Sequence, residues 1–181
     1  LMWHELVNDR VGSVSILVSY CPLCNSAIVF DRGLADGVEL TFGVSGMLRN
    51  SDMVMFDRET DSLWQQITGE GIVGVHTGRA LRMLPSQTIP FADFAGMFPE
   101  GRVLSRETGF RRDYGKNPYR GYEFGDGPIM RVKPLRRTSL RPMDKLVVIK
   151  DGKGFRAHPV SRLARSGVAE DRIDGRPVAV L

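Results

Sequence analysis

Cysteine and histidine are scarce in this chain, which has two cysteines and three histidines among its 181 residues. Two cysteines exclude a disulfide-rich scaffold and a zinc site built from four cysteines. No apolar run approaches the roughly 20 residues that a transmembrane helix needs. Hydrophobic residues make up 42% and charged residues 25% of the chain, the balance of an ordinary globular domain.

Two familiar catalytic motifs are also missing. The chain has no Gly-x-Ser-x-Gly elbow, and "GVSGM" around Ser45 predicts only a turn. The segment "GEGIVGVHTG", which begins at Gly69, lacks the Lys-Ser/Thr ending and the strand-to-helix setting of a phosphate-binding loop. The sequence therefore argues against a serine hydrolase of this type and against nucleotide binding.

Positive charge gathers in one part of the sequence. The net charge is +4, and the basic residues cluster between Arg102 and Pro142, with tyrosines among them. Nucleic-acid-binding surfaces share this composition, but no recognised binding module accompanies it, so we expect no nucleic-acid partner. Residues 108–143 show little periodicity and predict a Gly/Tyr/Arg-rich arm or linker. The Arg102–Pro142 region is where we expect a protein partner to bind.

Short apolar segments with strand character follow one another through the first half of the chain. They are "VSILVSY", "SAIVFDR", "DGVELTFGVSG", "DMVMFDRET", "SLWQQIT" and "GRALRMLPS". Gly, Asp and Asn separate them, so they predict a mainly β, β-rich α+β protein with antiparallel meander or barrel-like sheets. One or two short helices are expected, because "LMWHELV" has a brief helical pattern and "PFADFAGMFP" predicts a helix within residues 90–98.

The C-terminal part predicts a hairpin and a weak internal repeat. "DKLVVIKDGKGFRAHPVSRLARSG" predicts two strands around Asp151 and Gly152, followed by a short helix. A shift of 162 residues aligns the start of the chain with its end, so that Asp9–Arg10 matches Asp171–Arg172. We therefore expect a first repeat over 1–107 without its opening hairpin, and the start of a second over 144–181. On this prediction the chain is a fragment, truncated at both ends.

The two cysteines occur together in "CPLCN", between two predicted strands. A Cys-Pro-x-Cys turn of this kind can aim two thiolates at one metal ion, and His4 is a candidate third ligand beside Cys21 and Cys24. Three methionines offer thioethers: Met47, Met53 and Met55. Soft donors of this kind favour copper over zinc. A structural clip and thiol chemistry remain alternatives, although the β-forming residues after Cys24 lack the helix of a thioredoxin-like site.

Other polar groups are candidates for binding. Alternation along a strand places Trp64 and Gln66 on one face, where they predict a small polar pocket for a cofactor or, alternatively, a packed core indole tied to a turn. His4 and Glu5 precede Asn8 and Asp9 and form a polar cluster near the start of the chain. The Asp–Arg pairs at strand ends predict charge-assisted fastening rather than catalysis.

Long ordered stretches of the chain resemble a prokaryotic family known as domain of unknown function 3179. They are "WHELVND", "CPLCNSAIVFDR", "LTFGVSG", "LRNSDMVMFDRET", "SLWQQITGEGIVG" and "TGFRRDYGKNPYRGY". The resemblance implies an exported protein, in the periplasm or outside the cell, whose signal segment is not in this chain. It also implies that Cys21 matters more than Cys24, as a single thiolate ligand or nucleophile.

These observations lead to a ranked set of hypotheses. The first is an extracytoplasmic β-rich protein that binds a soft metal such as copper, or zinc, through Cys21, Cys24 and His4. The alternative is a non-enzymatic scaffold or interaction module with structural cysteines. A thiol-dependent enzyme is third, and whether the protein is an enzyme stays open at this point.

Overall fold

The structure is a computed structural model that describes residues 1–125, 127, 140–152 and 154–181. The chain forms two compact units, the first comprising Leu1–Tyr122 and the second including residues 140–152 and 154–181. Strands dominate both units, and the two α-helices are short, which confirms the mainly β prediction. No helix in the described ranges is long and apolar enough to span a membrane.

The described part of the first unit contains eight strands and one α-helix. In chain order they are β1 (Leu6–Val11), β2 (Val14–Cys21), β3 (Ser26–Asp31), β4 (Phe42–Arg49), β5 (Asp52–Asp57), β6 (Leu63–Gln65), β7 (Gly71–Val73), β8 (Met83–Leu84) and α1 (Phe91–Met97). One sheet has the order β1-β2-β3-β8 and the other β4-β5-β6-β7, with antiparallel neighbours throughout. Both sheets are open in the described residues, so the barrel-like part of the prediction is wrong.

Strand β2 turns an unusual set of side chains toward the interior. Its buried positions are Ser15, Leu17, Ser19 and Cys21, which alternate with less buried Ile16, Val18 and Tyr20. Because side chains alternate between the two faces of a strand, Cys21 shares the inner face with Leu17. The strand itself therefore directs the Cys21 sulfur into the core.

Side chains from both sheets make up one core cluster in the first unit. Its members are Leu17, Cys21, Phe30, Leu40, Phe42, Met53, Met55, Trp64 and Leu81. Phe42 and Trp64 meet edge to face, with ring centroids 5.7 Å apart. Each large apolar side chain that is fully buried contributes about 1.5–3 kcal/mol to stability. This cluster is therefore the main source of stability in the first unit.

Polar contacts also join the two sheets. Asn8, on β1, uses its amide to donate to the Phe42 carbonyl at 2.9 Å and to accept from the Phe42 N–H at 2.8 Å. Gln66 Nε2 donates to Ser19 Oγ at 2.9 Å. These bonds bring the end of β2 beside the start of β5, which places Cys21 close to Asp52.

The described part of the second unit comprises two hairpins and a helix. Its elements are β9 (Leu146–Asp151), β10 (Gly154–Pro159), α2 (Val160–Ser166), β11 (Ala169–Ile173) and β12 (Arg176–Val180). The predicted hairpin and the helix that follows it are both present. Helix α2 ends at Gly167, whose φ of 74° is a left-handed conformation that glycine adopts without strain.

The hairpin β11–β12 has the same pairing register as β1–β2 when positions are shifted by 162. Val11 pairs with Val14, and Ile173 pairs with Arg176. In each hairpin the aspartate binds the next backbone N–H, at 2.8 Å for Asp9 and 2.7 Å for Asp171. This local agreement supports the predicted repeat, which stays a proposal for the rest of the chain.

Two local predictions are wrong. The opening "LMWHELV" forms a single turn instead of a helix, because Glu5 adopts a φ of 60° and Leu6 already pairs with Ser19. The strand expected in "DGVELTFGVSG" begins only at Phe42. The helix expected within residues 90–98 is confirmed as α1, but it buries no side chain, and Phe91 is 66% exposed.

Candidate metal centre

The two cysteines lie at either end of the turn between β2 and β3. Cys21 is the last residue of β2 and pairs with Ser26 at the start of β3. Asn25 closes the turn with a φ of 50°, a left-handed conformation that asparagine tolerates better than most residues. Cys21 is 1% exposed and Cys24 is half-buried, and both thiols are free.

Asp52, the first residue of β5, faces the same turn from the second sheet. Its carboxylate is buried, with 5% of the residue exposed. Oδ2 accepts hydrogen bonds from the Gln65 side-chain amide and from the Ile67 N–H, the latter at 3.1 Å. Oδ1 lies 3.2 Å from Cys24 Sγ. One oxygen is thus anchored to the protein, while the other is directed at the cysteines.

The ligand atoms of Cys21, Cys24 and Asp52 all lie within 4.8 Å of one another. Zinc binds sulfur at about 2.3 Å and oxygen at about 2.0–2.2 Å, so two sulfurs on one tetrahedral ion lie about 3.8 Å apart. The observed separations therefore suit a shared ion without large movement of the backbone. Two thiolates and a carboxylate are also donors that divalent transition metals accept.

Hydrogen bonding shifts the pKa values of the two thiols in opposite directions. The pKa of Cys21 is lowered, first because its sulfur accepts a hydrogen bond from the Cys24 thiol, and further by the backbone N–H groups of Cys24 and Met53. Burial and the charge of Asp52 oppose this effect. The pKa of Cys24 is raised far above its usual range, because its proton is held by Cys21 and because the thiol is buried. Cys21 is therefore the more acidic thiol of the pair, and Cys24 is the one that holds its proton more strongly.

Acceptors outnumber hydrogens around Cys24. Its single S–H faces the Cys21 sulfur, Asp52 Oδ1 and Ser26 Oγ, which is 3.0 Å away. The Ser26 hydroxyl does not donate to Cys24, because its hydrogen is donated to Gln66 Oε1 at 2.8 Å. A cation placed between the sulfurs and Oδ1 would satisfy these acceptors together.

The site also lacks a balancing positive charge in the part of the chain that the structure describes. The nearby Arg49 guanidinium binds the Gln65 side-chain oxygen at 3.3 Å, and none of the ion pairs among the described residues includes Asp52. Burying a carboxylate and a thiolate without a cation costs several kcal/mol. Electrostatics and hydrogen-bond geometry thus both favour a cation at this position.

Gln66 is hydrogen-bonded to Ser26 and Ser19 beside the site, whereas the polar atom of Trp64 is bound to Asp57. Gln66 is fully buried and holds both Ser26 and Ser19 by its side-chain amide. Trp64 lies in the core, where its Nε1 donates to Asp57 Oδ2 at 2.8 Å. The structure thus links Gln66 to Cys24 through Ser26, while the cofactor pocket predicted for Trp64 and Gln66 stays a prediction.

His4 lies among residues of the arm. Its Nε2 is 2.7 Å from the Tyr114 hydroxyl, and its ring centroid is 5.5 Å from that of Phe110. The three ligand atoms that lie within 4.8 Å of one another do not include a His4 nitrogen. The proposed role of His4 as a ligand stays a prediction, and Asp52 is the third donor that the structure places beside the cysteines.

The three methionines have different environments. Met53 and Met55 are buried in the core cluster, whereas Met47 is 47% exposed. The backbone N–H of Met53 donates a hydrogen bond to the Cys21 sulfur. Packing in the core accounts for Met53 and Met55 without a metal.

A family model described as protein of unknown function (DUF3179) matches residues 1–181, the whole chain, and the chain therefore belongs to this family. The resemblance inferred from the sequence is confirmed. No curated protein matches the chain significantly, and neither does any solved structure. The chemistry of the site thus has to be argued from its own geometry.

Proposed function

We propose that this member of the DUF3179 family is a metal-binding protein whose ion is held by Cys21, Cys24 and Asp52. The observation that carries the proposal is the group of three buried or half-buried donor atoms within 4.8 Å of one another. No positive side chain balances them among the described residues. An extracytoplasmic location is also part of the proposal and comes from the family resemblance. In such a compartment, a bound ion would protect two free thiols from oxidation.

Zinc is the ion that we propose for this site. Two thiolates alone would suit copper(I), but the Asp52 carboxylate is a hard donor that copper(I) accepts poorly. Zinc accepts both sulfur and carboxylate oxygen in tetrahedral geometry. Core packing explains the nearby thioethers of Met53 and Met55, which removes the main argument for copper.

The lowered pKa of Cys21 supports a second candidate, a dithiol that reacts by thiol–disulfide exchange. The low solvent exposure of the Cys21 thiol argues against this candidate. Cys21 is 1% exposed, whereas the more accessible Cys24 has the raised pKa and is the poorer nucleophile. A metal ligand needs no such access for a large substrate, so metal binding explains the arrangement better.

Zinc titration of the full chain, purified without chelator and reduced, tests the proposal. We expect about one ion per chain and a thiolate-to-metal absorption band in the ultraviolet region. Asp52→Asn keeps the shape of the side chain but removes its charge. Loss of a direct ligand should weaken zinc binding by more than the roughly 10–100-fold typical of outer-shell partners. Asp36→Asn is the matched control, because Asp36 is exposed and pairs with Arg79 at 2.6 Å.

Failure of the reduced chain to take up zinc, cobalt or copper would contradict the proposal. Equal affinities of the Asp52→Asn and Asp36→Asn variants would remove Asp52 from the site. His4→Ala belongs to the same series and tests the ligand predicted from the sequence. Because the His4 imidazole contacts Tyr114, we expect a smaller loss from this variant than from Asp52→Asn.

A further inference from the structure

We propose that Gln65 sets the metal preference of this site by leaving Asp52 with one free oxygen, which favours a small tetrahedral ion over a larger one. This inference rests on the proposed metal-binding function. It assigns a positioning residue to the site. It also predicts that the site discriminates zinc from cadmium, a larger divalent ion that binds thiolates as well.

The first step is the hydrogen bonding of the Asp52 carboxylate. Oδ2 accepts from Gln65 Nε2 and from the backbone N–H of Ile67, the latter at 3.1 Å. A carboxylate oxygen has two lone pairs, and these two donors use both lone pairs of Oδ2. Oδ1 lies 3.2 Å from Cys24 Sγ. The oxygen left for an ion is therefore Oδ1.

The second step is the orientation of the Gln65 amide, which is buried. Its Oε1 accepts from Arg49 Nη1 at 3.3 Å. Its Nε2 donates to Asp52 Oδ2 and to the Arg49 carbonyl, the latter at 3.4 Å. A reversed amide would place its oxygen against the carboxylate and would lose the contact with the guanidinium. Arg49 therefore fixes which end of the amide faces Asp52.

The third step is the backbone that holds these side chains together. Arg49 and Asp52 pair directly across the hairpin of β4 and β5. The turn between them consists of Asn50 and Ser51, whose φ angles are 53° and 64°. Positive φ at both central residues is what a two-residue hairpin turn of this type requires. Gln65 ends the neighbouring strand β6, so the carboxylate is preorganised before an ion arrives.

The number of free oxygens decides which ions fit the site. Zinc in a tetrahedral site is satisfied by one carboxylate oxygen at about 2.0–2.2 Å. Larger divalent ions take more ligands and bind carboxylates through both oxygens, as calcium does. Cadmium combines a larger size with affinity for thiolates, so it gains more than zinc when Oδ2 is released. Gln65 therefore disfavours cadmium relative to zinc.

Competition titrations of zinc and cadmium against a chromophoric chelator, with the reduced full chain, test this role. Gln65→Met keeps the length of the side chain and removes its amide. Zinc affinity should fall by about 10–100-fold, as expected when a metal ligand loses its hydrogen-bond partner. Cadmium affinity should fall less, because this ion can then bind both oxygens. The ratio of zinc affinity to cadmium affinity should thus drop by about tenfold.

Gln66→Met is the matched control, because it is the same substitution at the next residue. The Gln66 amide holds Ser26 and Ser19 and makes none of the hydrogen bonds described for Asp52. This variant should weaken the binding of both ions alike and leave the ratio within about twofold of that of the unaltered chain. An equal drop of the ratio in both variants would mean general loosening of the site and would remove the specific role of Gln65.

The other outcomes separate this inference from the proposed function. An unchanged ratio in Gln65→Met overturns the inference and leaves zinc binding by the unaltered chain intact. Failure of the unaltered chain to bind zinc or cadmium overturns both. Arg49→Met provides a second variant if Gln65→Met is poorly folded, because Arg49 is exposed. It should lower the ratio in the same direction by a smaller factor, and no change there would also overturn the inference.

Discussion

Zinc affinity should rise with pH. The slope should correspond to the release of about one proton per ion, and not two. Cys24 holds its proton strongly because Cys21 and burial raise its pKa, so the ion must expel that proton. Cys21 has a lowered pKa and is closer to the thiolate state before the ion arrives. The number of protons released per zinc is therefore nearer one than two.

The size of the effect follows from this proton count. Release of one proton changes the binding free energy by about 1.36 kcal/mol per pH unit, which is tenfold in affinity. Between pH 6 and pH 8 the affinity should rise by about 100-fold, whereas two ordinary thiols would give about 10,000-fold. The sign is fixed, because a site that loses protons on binding strengthens as pH rises.

Competition titrations against a chromophoric chelator at several pH values measure this slope. Calorimetry in buffers of different ionisation enthalpy counts the released protons independently. In Cys24→Ser the group that loses its proton is gone, so binding should weaken and the slope should flatten. A slope near two in the unaltered chain would show that the hydrogen bonds to Cys21 do not separate the two thiols, and the electrostatic description of the site would be wrong.

Three further predictions concern buried polar groups. Gln66→Leu removes the support of Ser26 and should weaken zinc binding by about 10–100-fold, measured by the same titration; unchanged affinity would mean that Cys24 is held without it. Trp64→Phe keeps the ring packing but removes the donor to Asp57, so urea unfolding should show a loss of about 1–3 kcal/mol, and no loss would contradict that role. His76 is buried, and neither ring nitrogen has a hydrogen-bond partner among the described residues, so His76→Phe should raise the unfolding free energy by up to about 1 kcal/mol, whereas a loss would reveal a partner.

Much of the sheet structure could be predicted because it is local. Apolar and β-branched runs predicted β2, β3, β5 and β6, and a turn signal at Asp151–Gly152 predicted the hairpin of the second unit. The opening turn could not be predicted in this way. Its few apolar residues fit a helix, but pairing of Leu6 with Ser19 decides the conformation, and that contact lies outside the segment.

The site was predicted only in part, because sequence patterns report local structure and not contacts between distant segments. Cys21 and Cys24 are joined by a short turn, so their proximity follows from the sequence. Asp52 is 28 residues from Cys24 and reaches it only because the two sheets meet. His4 is a candidate only by its position in the sequence, and its imidazole binds the hydroxyl of Tyr114, 110 residues away. An aspartate at the head of the apolar strand "DMVMF" was the one available signal.

The burial of Asp52 links the fold of the first unit to its proposed function. A carboxylate at an inner position of an apolar strand lowers stability unless its charge is balanced. The protein fixes Oδ2 with Gln65 and Ile67, but among the described residues Oδ1 receives only the Cys24 S–H, which it shares with the Cys21 sulfur. A purely structural aspartate has donors of its own at both oxygens, as Asp57 has with Thr60 and Trp64. The difference between these two buried aspartates is what a bound cation would explain.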